Sequence, residues 1–189
     1  MKWGFFVEAS KSVSLVNCSC ACETARMKKF IIAFVYLAIL SFSASLFAEV
    51  LHGRVIGVSD GDTITVLDEN KQQFKIRLMG IDAPEKAQPF GNRSKASLSD
   101  LVYLKDVDVT WLKHDRYGRI VGQVSVDGVD VCLEQIKRGF AWHYKQYQRE
   151  QAEGDRNLYS ASETVARNDK VGLWLDPLPI EPSIFRHQK

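Results

Sequence analysis

Through the middle of the chain, hydrophobic and polar positions alternate with a period of two. Phe74, Ile76 and Leu78 take turns with Lys75, Arg77 and Met79, which puts Arg77 on the face opposite the apolar set. Val55, Ile56 and Val58 mark a strand over 52–59, and Thr63, Ile64, Thr65, Val66 and Leu67 a second. Asp60-Gly61-Asp62 and Asp68-Glu69-Asn70-Lys71 read as the turns on either side of that second strand. Val107, Val109 and Trp111 alternate with Asp108 and Thr110 in a fourth strand. Ile120, Gly122, Val124 and Val126 form a fifth, and Arg119, like Arg77, falls outside its apolar set.

Between the third and fourth strands the pattern changes. Residues 82–92 carry Pro84 and Pro89 and read as loop; from Arg93 on, Ala96, Leu98, Leu101, Val102 and Leu104 have the spacing of an amphipathic helix. Asp130 is placed to cap a short helix over 131–138, which Gly139 stops. A last helix is expected over 157–168, with Leu158, Ala161, Ser162 and Val165 on one face, and Gly172-Leu173-Trp174 is expected to fold back on the body. Pro177, Pro179 and Pro182 predict an extended tail over 177–189. Five strands with one helix between the third and fourth is the element order of an OB-fold five-stranded β-barrel, an α+β domain with about three helices, here over 49–176. Such barrels bind nucleic acids and sugars, but the fold alone does not fix function.

The N-terminal quarter has a different character. Met27-Lys28-Lys29, an apolar run from Phe30 to Leu40 and small residues up to Ala48 read as a secretory signal, cleaved after Ala48 or Ser45. An uncleaved membrane anchor over 30–47 is the alternative. Residues 1–26 do not fit in front of a signal and read as an upstream extension that is not native. Cys18, Cys20 and Cys22 lie there, without a His or fourth Cys nearby to complete a metal site. Beyond residue 48 only Cys132 remains, so the exported domain forms no internal disulfide and depends on its core. The expected location is secreted or periplasmic. The formal net charge is +2, so composition does not mark a nucleic-acid binder; phosphate binding must come from local placement of Arg and Lys.

Candidate chemistry gathers in 60–85. If the second and third strands pair antiparallel, the turns Asp60-Gly61-Asp62 and Asp82-Ala83-Pro84-Glu85 land at one end of the sheet, although twenty positions separate Asp62 from Asp82. Two carboxylates that close repel each other unless a cation lies between them, and a hard divalent metal with oxygen ligands meets that need. Arg77 stands one pleat away, within reach of a phosphate. The pattern points to a metal-dependent phosphodiesterase.

Asp60-Gly61-Asp62-Thr63, Ile76-Arg77-Leu78, Ile81-Asp82-Ala83-Pro84-Glu85 and Asp115-Arg116-Tyr117-Gly118-Arg119 together resemble the staphylococcal (thermonuclease-like) nuclease family, over roughly 52–174. The resemblance implies a calcium ion, Ca2+, held by Asp62, Asp82 and the backbone carbonyl of Ala83, where the family often has threonine, with Asp60 assisting through water. It implies Glu85 as general base, and Arg77 and Arg119 as the grip on the scissile phosphate, where a guanidinium meets two oxygens at once and lysine does not. It implies that Arg116 and Tyr117 contact a neighbouring phosphate and that Tyr144 stacks on a base; the altered spacing of Trp142-His143-Tyr144-Lys145-Gln146-Tyr147 leaves Tyr147 as the other candidate. No partner for His114 or His143 is visible in the sequence.

The function expected on this resemblance is a calcium-dependent endonuclease cleaving DNA and RNA with little sequence preference and leaving 3′-phosphate ends. No protein partner is implied and a monomer is expected. The alternative from a different class is a non-catalytic nucleic-acid-binding OB-fold module. Such a module has no need of Asp62, Asp82, Glu85, Arg77 and Arg119 together, and all five are present. A third reading, a membrane-tethered nuclease serving DNA uptake, requires the signal to stay uncleaved.

Overall fold

The computed structural model describes residues 49–188. The signal or anchor expected at 27–48, the segment before it and Cys18, Cys20 and Cys22 lie outside the described residues.

β1 (Glu49–Val58), β2 (Thr63–Leu67) and β3 (Gln73–Leu78) form an antiparallel meander, with Thr63 opposite Arg77. The two-residue β4 (Ile81–Asp82) follows at once. After a helix the chain returns as β5 (Asp106–His114), antiparallel to the other edge of β1, and continues into β6 (Ile120–Val126). The ring closes where β6 pairs parallel with β3, placing Ile76 opposite Ile120 and Arg77 opposite Val121. This is the mixed five-stranded barrel of an α+β OB fold, in which closure leaves few free edges. Register shifts between Val55 and Gly57 in β1, and between Trp111 and Lys113 in β5, bend those strands around the barrel.

The alternating residues of the sequence fill the interior. Val55, Ile64, Val66, Ile76, Val109 and Val124 are wholly buried, each contributing about 1.5–3 kcal/mol of burial. α1 (Gly91–Val102) covers one end of the barrel with Leu98 and Val102. It starts two residues before the expected position and ends at Val102. Leu104 lies past its end with φ 58° and is half exposed, because the chain must turn there to bring Lys105 back to β1, where its carbonyl accepts from the Val55 N–H at 2.9 Å.

The short β7 (Val129–Asp130) leads into α2 (Val131–Lys137). The Asp130 carboxylate caps α2 by accepting from the Leu133 N–H at 3.1 Å, and it also accepts from the buried Tyr159 hydroxyl at 2.6 Å. β8 (Trp142–His143) pairs with β4, so that Asp82 lies opposite Trp142. A 3-10 helix (Lys145–Glu150) precedes α3 (Glu153–Asn168), which begins four residues before the apolar pattern does. Glu153 and Asp155 occupy its first turn, where carboxylates favour the helix N-terminus whatever the apolar pattern says.

Gly172-Leu173-Trp174 does fold back. The Leu173 N–H donates to the Gly139 carbonyl at 2.7 Å, and the Trp142 and Trp174 rings meet edge to face at 5.0 Å. Gly139 and Gly172, both at positive φ, allow this approach; a Cβ on Gly172 would lie 2.2 Å from the Gly139 carbonyl oxygen. The tail departs from the expected extended form. Pro182, fixed at a φ suited to the first helical position, starts a fourth helix, α4 (Pro182–His187).

Candidate active site

The register of the barrel decides which charged side chains meet. Arg77 stands opposite Thr63 on one side and Val121 on the other. Asp62 immediately precedes Thr63, and Arg119 lies two residues before Val121. A period of two therefore turns Arg77 and Arg119 toward the same face. The pairing of β4 with β8 fixes Asp82 beside them and brings Tyr144 down, with its N–H donating to the Gly80 carbonyl at 2.9 Å. Five separated stretches thus line one cleft of about 710 Å³, whose walls include Asp60, Asp62, Arg77, Ala83, Glu85, Arg116, Tyr117, Arg119, Tyr144, Tyr147 and Arg186.

Arg77 is the hub. Its side chain is only 13% exposed, and it bridges the two aspartates: Nη1 reaches Asp62 Oδ2 at 2.7 Å and Nη2 reaches Asp82 Oδ1 at 3.0 Å. Asp62 Oδ2 also accepts from the Ala83 N–H at 2.8 Å, and Asp62 Oδ1 from the Thr63 hydroxyl at 3.1 Å. Burial pushes the Asp62 carboxyl up to about 7 against the pull of Arg77, and Asp60 and Asp82 push the same way. Burial works against the charge of Arg77, but Asp62, Asp82 and Asp60 outweigh it and raise its pKa above the ordinary value. The sequence placed Arg77 on the polar face of its strand; the structure shows that this face is covered and the arginine paired.

Arg119 is held differently. Its Nε donates to Asp115 Oδ2 at 2.7 Å and its backbone N–H to Asp115 Oδ1 at 2.9 Å. Burial disfavours the Asp115 carboxylate, yet the hydrogen bonds from Arg119 and Tyr117 prevail and hold its pKa below the ordinary range. The Arg116 and Arg119 guanidiniums lie 4.8 and 5.5 Å from the centre of the exposed Tyr117 ring. The Arg77 guanidinium lies 6.0 Å from the Tyr144 ring, which meets Tyr147 edge to face at 5.0 Å. Both tyrosines line the cleft, with Tyr144 nearer Arg77. Glu85 stands at the rim, 37% exposed at its side chain.

His114 lines the cleft wall and packs edge to face on Trp111 at 4.9 Å. His143 is buried behind the site; its Nε2 pairs with Gln151 Oε1 at 2.9 Å, while Nδ1 has no hydrogen-bond partner. The Cys132 thiol lies in the core, its pKa pushed up by burial.

Two contributors escaped the sequence reading. Gln135 on α2 is wholly buried. Its Nε2 donates to the Gly61 carbonyl at 2.9 Å and to the Ser94 carbonyl at 3.2 Å, and its Oε1 accepts from the Ser97 hydroxyl at 2.7 Å. It fastens the Asp60-Gly61-Asp62 turn to two helices. The signal was a polar residue within the apolar stripe Val131, Cys132 and Ile136. Gln135→Leu strands three buried polar groups and should cost about 2–4 kcal/mol, read as a lower urea midpoint at unchanged slope; a change below 1 kcal/mol would show that the turn holds itself. The second contributor, Arg186 on α4, reaches Asp82 and Glu85; nothing local in the sequence pointed to it.

A hard cation suits the donors here. All are oxygens, and Asp60, Asp62, Asp82 and Glu85 outnumber the guanidiniums of Arg77 and Arg186 that face them. Among the described residues no three His, Cys, Asp or Glu side chains surround a single point. A ligand set of two aspartates and a carbonyl would therefore leave other positions to water.

Comparison with known proteins agrees with this geometry. The family described as Staphylococcal nuclease homologue matches residues 75–176. An uncharacterized endonuclease of Escherichia coli is 41% identical over 157 residues, 82% of this chain and 98% of its own length. An uncharacterized endonuclease of Haemophilus influenzae is 43% identical over 136 residues, covering 72% of this chain and 73% of its own. A micrococcal nuclease of Shigella flexneri is 37% identical over 145 residues, 71% of this chain and 79% of its own.

Proposed function

Since the chain belongs to the family of staphylococcal nuclease homologues and is an endonuclease of that kind, we propose that it is an exported, calcium-dependent enzyme that hydrolyses DNA and RNA with little sequence preference. The observation that carries this reading is the convergence of Asp62, Arg77, Glu85 and Arg119 on one cleft from separated parts of the chain. Export rests on the sequence of 27–48.

In this reading Asp62, Asp82 and the Ala83 carbonyl hold calcium, which when bound neutralises charge on the phosphate and favours attack on it. Arg77 and Arg119 turn from their carboxylates to the equatorial phosphate oxygens, where charge grows during attack. Glu85 takes the proton of the attacking water. The water oxygen bonds to phosphorus, the bond to the 5′ oxygen breaks, that oxygen takes a proton from water to leave as a 5′-hydroxyl, and a 3′-phosphate remains. Arg116 and Tyr117 bind a neighbouring phosphate, and Tyr144 stacks on a base. Contacts to phosphates and base faces carry little sequence information, which accounts for the broad substrate range.

Plasmid DNA and a structured RNA, incubated with the full chain in calcium, in magnesium and in chelator, test the proposal. Both should be cut in calcium and left intact in chelator. Magnesium should support about a tenth of the rate or less, because it keeps its waters and demands tight octahedral geometry. Undiminished cutting in chelator rules out the metal requirement.

A further inference from the structure

Asp82 lies beneath the surface of the cleft, its residue only 2% exposed, and part of its cover comes from far along the chain. Arg186 Nη2 donates to Asp82 Oδ2 at 2.9 Å, while its Nη1 reaches Asp82 Oδ1 at 3.1 Å and Glu85 Oε1 at 2.9 Å. With Arg77 on Oδ1 as well, both oxygens of Asp82 are taken.

We propose that Arg186 is an internal competitor for the divalent cation, so that docking of α4 and binding of the cation at Asp82 exclude each other. The proposal rests on the calcium reading above. Two arginines meet Asp82, and they are not equivalent. Arg77 rises from a barrel strand with a side chain 13% exposed, and it pairs with Asp62 as well as with Asp82. Arg186 sits on a six-residue helix, too short to hold its shape alone. Within that helix only Pro182 is buried, and Ile184 remains half exposed. Pro182 and the partly buried Phe185 are therefore its apolar anchors. The segment meets the body through the bond from the Gln88 side chain to the Ile180 carbonyl and through the ion pairs of Arg186, whose side chain is 37% exposed and partly screened by water.

A guanidinium brings one positive charge to oxygens that a calcium ion meets with two. Cation binding therefore displaces the weaker occupant, frees Glu85 and swings α4 off the cleft. Without the cation, Arg186 keeps Asp82 and Glu85 neutralised, and the Ser183 and His187 side of α4 stands in the cleft where a nucleic acid would lie.

Two measurements on the full chain without nucleic acid test this: calcium binding by titration calorimetry, and hydrogen exchange of the α4 amides. If Arg186 holds the carboxylates about nine-tenths of the time, removing it raises apparent calcium affinity about tenfold. Arg186→Ala and Arg186→Gln should both show that gain, and saturating calcium should speed exchange across α4 in the unmodified protein. Should both variants bind calcium no more tightly than the unmodified protein, or α4 stay equally protected with and without calcium, while Asp82→Ala loses binding, the calcium reading stands and the competition is overturned. Absence of calcium binding by every protein overturns both together.

Discussion

Arg77→Lys is expected to give a folded protein whose kcat is lower by about 10²-fold or more, with KM little changed. The ammonium still supplies a positive charge between Asp62 and Asp82, so the buried carboxylates keep a counter-charge. What is lost is the fork. A guanidinium meets two phosphate oxygens with parallel hydrogen bonds, and loss of one such donor to developing charge costs about 10²–10³ in rate. An interaction made mainly in the transition state appears in kcat rather than KM. Arg77→Ala should differ in kind. Its position off the apolar alternation predicts a residue that the fold can spare, yet the structure ties it to two aspartates that are less than 10% exposed. Removing one partner of a buried pair costs about 3–5 kcal/mol, and a loss in that range is expected because Asp62 and Asp82 would stay buried without it. Steady-state kinetics on a short oligonucleotide, paired with urea unfolding of both variants, checks the two halves. A folded Arg77→Lys protein with near-normal kcat would remove Arg77 from the phosphate grip.

Glu85→Gln should lower kcat about 10²- to 10⁴-fold, the range supplied by a positioned general base, while stability changes by less than about 0.5 kcal/mol. Glu85 is a rim residue whose side chain is 37% exposed and pairs with Arg186. A glutamine keeps the size and an acceptor oxygen for that contact, but it cannot take the proton of the attacking water. Single-turnover rates at saturating oligonucleotide separate this chemical step from binding. A rate within about fivefold of the unmodified protein would leave Glu85 without a role in proton transfer.

The alternation at 74–79, 107–111 and 120–126 fixed the strands, because a half-buried strand must keep apolar residues on one face, and that constraint is written locally. The same is true of the α2 cap, since an aspartate that can accept from an N–H three residues on states its role within four residues. The pairing of the two acidic turns was also legible, for it needs only an antiparallel hairpin between them. Whole-chain contacts were not. The parallel closure of β3 on β6 sets Arg77 beside Arg119, and no local pattern encodes which edges meet. Arg77 is covered by Tyr144, whose ring lies 6.0 Å from its guanidinium, and paired with Asp62 and Asp82, so the same residue that reads as a strand's polar position becomes a buried bridge. Gln135 looks like a blemish in an apolar stripe until the Gly61 carbonyl stands opposite it. Arg186 lies in a proline-bearing tail, and its meeting with Asp82, 104 positions earlier, follows from where the fold leaves its last residues. Periodicity records which side of an element faces inward. Which charges then find each other is settled by packing between elements distant in sequence, and that only the folded chain decides.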